Sequence, residues 1–198
     1  MTSETEINAD PGAAENKKTS LNKPYFSTTD IIVISMFGAL GIVIGILGNV
    51  LHGVSGLLFI GPFLLHTLLP GIVVFACAAT VRKAGTATMY SLIVSLIAMP
   101  LMGVPLFIVM YVVQGLLIDG FTLAMKDRMW SRWGIIPAAT VYGIAGILIL
   151  YYVVLGASGL VFPEWVIIPS IPLNLVFAIP AALVGLQIGQ RAITTLGG

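Results

Sequence analysis

Charge is scarce in this chain. Only 9% of its 198 residues are charged, whereas soluble domains contain about 25% charged residues. Hydrophobic residues make up 58% of the sequence. Because Cys77 is the only cysteine, no internal disulfide can form. This composition excludes a soluble globular protein and predicts an integral membrane protein.

Motifs for several kinds of chemistry are also missing. The sequence has no glycine loop ending in Gly-Lys-Ser/Thr, so the chain is not expected to hydrolyse ATP itself. It has no HExxH motif or paired acids of a membrane hydrolase. His52 and His66 have no Cys or acidic partner at the spacing of a metal site. No apolar segment is rich in Arg, as a voltage sensor would be. We therefore expect no enzyme, no metal site and no cofactor.

Long apolar segments dominate what is present. They span residues 31–50, 62–81, 86–102, 105–125, 133–155 and 166–190. Each has about the length that crosses a hydrocarbon core as a helix, and none alternates like a barrel strand. The backbone in lipid must form its hydrogen bonds internally, which requires helices here. The predicted fold is an all-α membrane protein with six transmembrane helices.

The basic residues predict the orientation of these helices. All nine precede the first segment, follow the last, or lie in the second–third or fourth–fifth connection: Lys17, Lys18, Lys23, Arg82, Lys83, Lys126, Arg128, Arg132 and Arg191. The other three connections contain none. Because Lys and Arg are retained in the cytoplasm, both termini are expected to be cytoplasmic. Residues 1–27, polar over most of their length, are predicted to be a disordered cytoplasmic tail, and residues 28–198 the transmembrane domain.

Polar and aromatic side chains gather in the outer halves of the segments. They are Asn49, His52, His66, Ser95, Met99, Tyr111, Gln114, Tyr151, Tyr152, Glu164, Trp165 and Asn174. Such a set suits a small, flat, polar organic ligand, although Tyr and Trp also occur as interfacial anchors. Two apolar outer loops, at 51–61 and 156–165, are predicted to cover this site as a lid; the alternative is that they rest among the lipid headgroups.

Two further features concern the inner halves. Asp119 is the only acid well inside a segment, and we expect a structural or coupling role for it rather than ligand contact. Small residues recur at four-residue spacing in the first segment (Ser35 and Ala39, Gly41 and Gly45) and in the sixth, from 178 to 189. Such spacing allows close helix approach, either within the bundle or against another membrane subunit.

Several stretches resemble a known family. FSTTDIIVISMFGALGIVIG (26–45) resembles the first helix of the substrate-binding S components of energy-coupling factor transporters. GNVLHGVSG (48–56), VRKAGTAT (81–88) and VVQGLLIDG (112–120) are most similar to the branch associated with thiamine and its hydroxymethylpyrimidine precursor. In place of the outer acids of some thiamine-type members, this chain has His66, Ser95 and Met99.

The resemblance implies a function and partners. An S component captures a vitamin or precursor outside a prokaryotic cell, docks on a transmembrane T component with two ATPase subunits, and releases the ligand inside. The family's docking motif would here be Ser35 and Ala39. The ligand would be bound by Asn49, His52, His66, Ser95, Tyr111, Gln114, Tyr151, Glu164, Trp165 and Asn174. The alternatives are a small autonomous secondary transporter or channel, and a membrane scaffold without a ligand.

Overall fold

The structure is a computed structural model that describes residues 25–55, 67–102, 106–157, 159 and 163–196. For residues 48–55, 101, 102, 107 and 196 the description is of the backbone alone. The predicted tail up to residue 24, and residues 56–61 of the first predicted lid loop, lie outside the described residues. Residues 51–55 of that loop are helical, so the prediction that the loop begins at residue 51 is wrong. All secondary structure in the described part of the chain is helical.

Each predicted segment corresponds to a helix. The helices are α1 (Thr28–Ser55), α2 (Leu69–Val81), α3 (Thr86–Met102), α4 (Phe107–Met125), α5 (Arg132–Leu148) and α6 (Glu164–Leu196). A 3-10 helix (Lys126–Trp130) joins α4 to α5, and α5 continues as a π-helix over Ile149–Leu155. The prediction of an all-α membrane protein is confirmed.

Four of these helices are long and apolar enough to cross a membrane. The candidate spans are Thr28–Leu47, Ile108–Trp130, Arg132–Leu155 and Glu164–Thr195. The apolar parts of α2 and α3, Leu69–Val81 and Thr86–Pro100, are shorter. Six membrane crossings therefore stay a prediction.

The ends of the helices differ from those of the apolar segments because polar residues also form helix. Ser27 Oγ accepts a hydrogen bond from Asp30 N (3.1 Å), and Asp30 Oδ2 accepts one from Ser27 N (2.7 Å). This reciprocal capping satisfies free backbone donors, so α1 begins at Thr28 rather than at residue 31. At the other end of the chain, α6 continues beyond its apolar run through Arg191 and Thr194.

Helix α2 lies at the centre of the bundle and packs most extensively against α6. Every residue from Val73 to Ala79 is buried. A Cβ at Gly185 would lie 2.7 Å from the Ile72 carbonyl oxygen, and one at Gly189 would lie 2.8 Å from that of Ala76. The small residues of α6 therefore serve packing within the bundle. The alternative, that they form a docking surface for another subunit, is wrong for this helix.

Contacts across the bundle bring the basic connections to one end. Lys83, between α2 and α3, pairs with Asp30 of α1, and Gln190 Nε2 of α6 donates to the Trp130 carbonyl (3.2 Å) between α4 and α5. Arg82, Arg128, Arg132 and Arg191 belong to the same connections or lie directly beside them. We call this the basic end. The predicted ligand residues of α3–α6 lie toward the opposite end.

Candidate substrate site

Two amide side chains bind consecutive backbone carbonyls in the middle of α5. Gln114 Nε2, from α4, donates to the Tyr142 carbonyl at 3.4 Å. Asn174 Nδ2, from α6, donates to the Gly143 carbonyl at 2.7 Å. A Cβ at Gly146 would collide with Gln114 Nε2, so the missing side chain there allows the amide to approach. Two of the predicted ligand residues therefore meet in one polar seam between α4, α5 and α6.

Asn174 is held at both ends of its amide. It is almost fully buried, and its Oδ1 accepts a hydrogen bond from Thr67 Oγ1 while its Nδ2 binds Gly143. The side chain thus connects α6 to α5 and to the residues just before α2. These two bonds use one N–H and one lone pair of the amide, so a second N–H and a second lone pair remain for a ligand. The other amide, Gln114, is also buried, and its Nε2 is the atom that bonds to α5.

The polar seam is followed along α5 by the π-helix Ile149–Leu155. Tyr151, in this π-helix, is half-buried, and its hydroxyl lies 3.4 Å from Ser170 Oγ of α6. Ser170 is buried and also donates to the Val166 carbonyl (2.7 Å). Tyr152, the next residue, is exposed on the outside of the bundle. Local π-helices are rare and frequent at functional sites. Here Tyr151 of the π-helix faces Ser170 of α6.

Three tyrosines lie on α3, α4 and α5. Tyr90 and Tyr142 are buried, and Tyr111 is partly exposed. The ring of Tyr142 packs edge-on against Phe75, with centroids 5.5 Å apart. Sequence reasoning found Tyr111 but missed Tyr90 and Tyr142. For Tyr142 the available signal was its position in the middle of its apolar segment, since belt tyrosines lie near the interfaces. Tyr90 lies near the start of its segment and gave no such signal.

The other predicted ligand residues are more dispersed. Ser95 is fully buried and donates to the Leu92 carbonyl of its own helix at 3.1 Å. Met99 and Glu164 are exposed, and Trp165 is 75% exposed on the first turn of α6. These last three therefore do not join the seam. His66 and the side chains of Asn49 and His52 lie outside the described residues.

The seam is polar but carries no charge in the described residues. Its buried polar side chains are Gln114, Ser170 and Asn174. Amides and hydroxyls can pair with the polar atoms of a ligand without burying an uncompensated charge. This set suits an uncharged organic molecule, and the surrounding aromatic rings suit a flat one.

Asp119 lies toward the basic end, away from this seam. It is only 5% exposed and accepts three hydrogen bonds from the start of α3. The donors are Ala87 N (3.2 Å), Thr88 N (2.8 Å) and Thr88 Oγ1 (2.6 Å). A carboxylate is favourable at a helix N-terminus, where free N–H groups and the helix dipole both attract negative charge. Asp119 thereby joins α4 to α3.

Helix α1 presents two different faces. Ile34, Gly38 and Gly41 are buried, and a Cβ at Gly38 would lie 3.0 Å from Ile93 Cγ2 of α3. Ser35 and Ala39 lie on the exposed face, which is otherwise apolar: Ile31, Ile32, Met36, Leu40, Val43 and Leu47. Glycine spacing in α1 therefore serves contact with α3, while Ser35 and Ala39 face away from the bundle.

Comparison with known proteins gives one strong structural match. No protein-family model matches the sequence, and no curated protein matches it. A crystal structure of an S-component of an ECF transporter has a similar fold, with a TM-score of 0.62 and 22% sequence identity. The match covers 86% of this chain and 85% of that chain. At this identity the match establishes the fold of an S component.

Proposed function

We propose that this chain is the substrate-binding S component of an energy-coupling factor importer. The observation that carries the proposal is the fold match over nearly the whole of both chains. The exposed apolar face of α1 around Ser35 and Ala39 adds support, because a docking surface for a transmembrane T component must be free of intramolecular contacts. Two ATPase subunits would supply the energy, since the sequence contains no ATP-binding loop of its own.

The proposed orientation has the basic end in the cytoplasm of a prokaryotic cell, with six membrane crossings and both termini inside. The rule that Lys and Arg remain cytoplasmic supports it. Cysteines introduced at Ser55 and Ser158 should then react with an impermeant thiol reagent added to whole cells, whereas one at Lys126 should not. Labelling of the Lys126 position from outside would reverse the orientation.

The proposed ligand is an uncharged, flat nutrient of the hydroxymethylpyrimidine type. It would be bound by Gln114 and Asn174 of the polar seam and by Tyr151 beside them. The resemblance to the thiamine branch suggests both thiamine and its pyrimidine precursor. The seam favours the precursor, because no acid is available among its described residues to pair with the thiazolium cation. We expect the pyrimidine to bind about tenfold or more tightly than thiamine, since an unpaired buried charge costs well over 1.4 kcal/mol.

Purification from native membranes tests the assignment. A tagged chain should retain a T subunit and two ATPase subunits, and native mass spectrometry should detect a bound metabolite. Uptake by the chain alone in liposomes, driven by an ion gradient, would instead establish an autonomous transporter. A chain that retains neither partner nor metabolite would favour a scaffold.

Equilibrium binding of hydroxymethylpyrimidine to the isolated protein tests the seam. Gln114→Ala should weaken binding roughly 5- to 150-fold, the effect of leaving a buried ligand group unpaired. Thr140→Ala is the matched control, since the Thr140 hydroxyl only donates to the Ile136 carbonyl of its own helix. Equal affinities of the two variants would remove Gln114 from the site.

A further inference from the structure

A lysine in the short connection between α2 and α3 binds the beginning of α1. Lys83 Nζ forms an ion pair with Asp30 and donates to the Tyr25 carbonyl at 3.1 Å. It also lies 6.0 Å from the centre of the Phe26 ring, within reach of a cation–π interaction. We call this group (Lys83, Asp30, Tyr25 and Phe26) the Lys83 clasp.

The local backbone is shaped for the clasp. Gly85 has a φ of +91°, which side chains with a Cβ rarely adopt, and a Cβ there would lie 3.4 Å from the edge of the Phe26 ring. Asp30 Oδ2 binds Lys83 and at the same time accepts from Ser27 N. One carboxylate oxygen therefore both caps α1 and attaches it to the α2–α3 connection.

Helix α1 depends on such an attachment more than its neighbours do. Only 17% of an 18-residue apolar stretch of α1 is buried, compared with 33–39% of the corresponding stretches in the other three long spans. The pair is partly shielded from solvent, with side-chain exposures of 36% for Lys83 and 17% for Asp30, and it is the only ion pair in the described part of the chain. Ser35 follows Asp30 by five residues, about 7.5 Å along the helix axis. The clasp thus lies just below the exposed face of Ser35 and Ala39.

We propose that Asp30 and Lys83 are positioning residues for partner docking. They hold the weakly packed α1 in one orientation, so that the face of Ser35 and Ala39 meets the T component in a fixed geometry. Loss of either charge leaves α1 held by its contacts with α2 and α3, and the population in which its basic-end turns are displaced from the bundle then increases. This role rests on the proposed function.

Spin-label distances between α1 and α6 test the clasp without any partner. Labels at Met36→Cys and Ile188→Cys, both on exposed positions, are read in lipid nanodiscs with Cys77→Ala as background. Asp30→Asn removes the charge but keeps an oxygen that can accept from Ser27 N. Asp30→Asn and Lys83→Gln should each raise the population of displaced α1 about 1.5- to 5-fold, the range for a partly exposed ion pair.

Two comparisons separate the ion pair from general damage. The double variant Asp30→Asn/Lys83→Gln should be no more displaced than the worse single variant, because both substitutions remove the same interaction. Lys83→Arg should restore the original distance distribution. Lys126→Gln is the matched control, since it removes a lysine from another connection at the basic end that makes no ion pair among the described residues. Unchanged distances in both single variants would overturn the clasp.

Partner retention tests its role in docking. Asp30→Asn and Lys83→Gln should each lower the amount of co-purified T subunit, and the two variants should lower it to about the same extent. The affinity for hydroxymethylpyrimidine should stay unchanged. Displaced α1 with undiminished T-subunit retention would overturn the docking role. If the unsubstituted protein retains no T subunit, the proposed function and the docking role both fail, whereas the spin-label distances still decide whether the clasp exists.

Discussion

Replacing Asp119 with Asn should destabilise the protein much more than it weakens ligand binding. The carboxylate of Asp119 accepts from two backbone N–H groups and one hydroxyl at the start of α3. The amide of Asn has one acceptor oxygen, so its NH2 group would be turned toward at least one of these donors. The substitution therefore removes the negative charge and also places donor against donor in a buried position.

The magnitude follows from these two losses. Removing the negative charge from the N-terminus of α3 costs about 1 kcal/mol. Leaving one buried donor without an acceptor adds about 1–2 kcal/mol. A total of about 2–3 kcal/mol lowers the unfolding temperature of a chain of this size by roughly 4–12 °C. Ligand affinity should remain within about threefold, since Asp119 lies toward the basic end and has no contact with the seam of Gln114 and Asn174.

Thermal unfolding in detergent, with and without ligand, provides the measurement. The control is Asp127→Asn, which removes an exposed acid from the 3-10 helix after α4 and should shift the unfolding temperature little. If Asp119→Asn unfolds at the same temperature as Asp127→Asn, the hydrogen bonds to α3 do not stabilise the fold as argued. If it abolishes binding without loss of stability, Asp119 belongs to the ligand site.

Three further predictions concern helix packing and docking. Gly185→Ala should cost about 1–3 kcal/mol of stability because the added Cβ would collide with the backbone of α2. Gly120→Ala is the control and should be tolerated, since nothing lies within 4 Å of a Cβ at that position; equal unfolding temperatures of the two variants would contradict the close approach of α2 and α6. Asn174→Ala should lower stability by about 1–3 kcal/mol, since it removes the buried hydrogen bond to the Gly143 carbonyl and the acceptor of the Thr67 hydroxyl. The same thermal assay checks it. Ser35→Leu and Ala39→Leu should abolish co-purification of a T component while hydroxymethylpyrimidine binding is kept, because a larger side chain obstructs close helix approach on that face; equal loss of both would mark these positions as internal packing.

The presence of the six helices could be predicted from the sequence, because in lipid a long apolar segment must form its backbone hydrogen bonds internally. All six segments contain helices, and most ends agree within a few residues. The disagreements at the start of α1 and at the end of α6 arise from polar residues, which hydropathy does not assign to helix. Ser27 and Asp30 extend α1 by capping it, and the polar last turn of α6 continues the helix beyond residue 190.

The role of small residues could not be read from spacing alone. Ser35 with Ala39, Gly41 with Gly45, and Gly185 with Gly189 have the same four-residue separation. In the structure, Gly41 and Gly185 lie against other helices, whereas Ser35 and Ala39 are exposed. The difference depends on how each helix is rotated about its axis, and in these nearly uniformly apolar helices no polar stripe indicates that rotation.

The candidate site was predicted in part for the same reason. Gln114 and Asn174 were identifiable as neutral polar residues within apolar segments, but their meeting point on α5 depends on Gly143 and Gly146, which carry no chemistry of their own. The π-helix gave no signal, since Ile149–Leu155 is as apolar as any α-helical stretch. Within it, Tyr151 faces Ser170 while Tyr152 is exposed. A π-helix has more residues per turn than an α-helix, so the directions in which the side chains of residues 149–155 point follow from backbone geometry as well as from residue type.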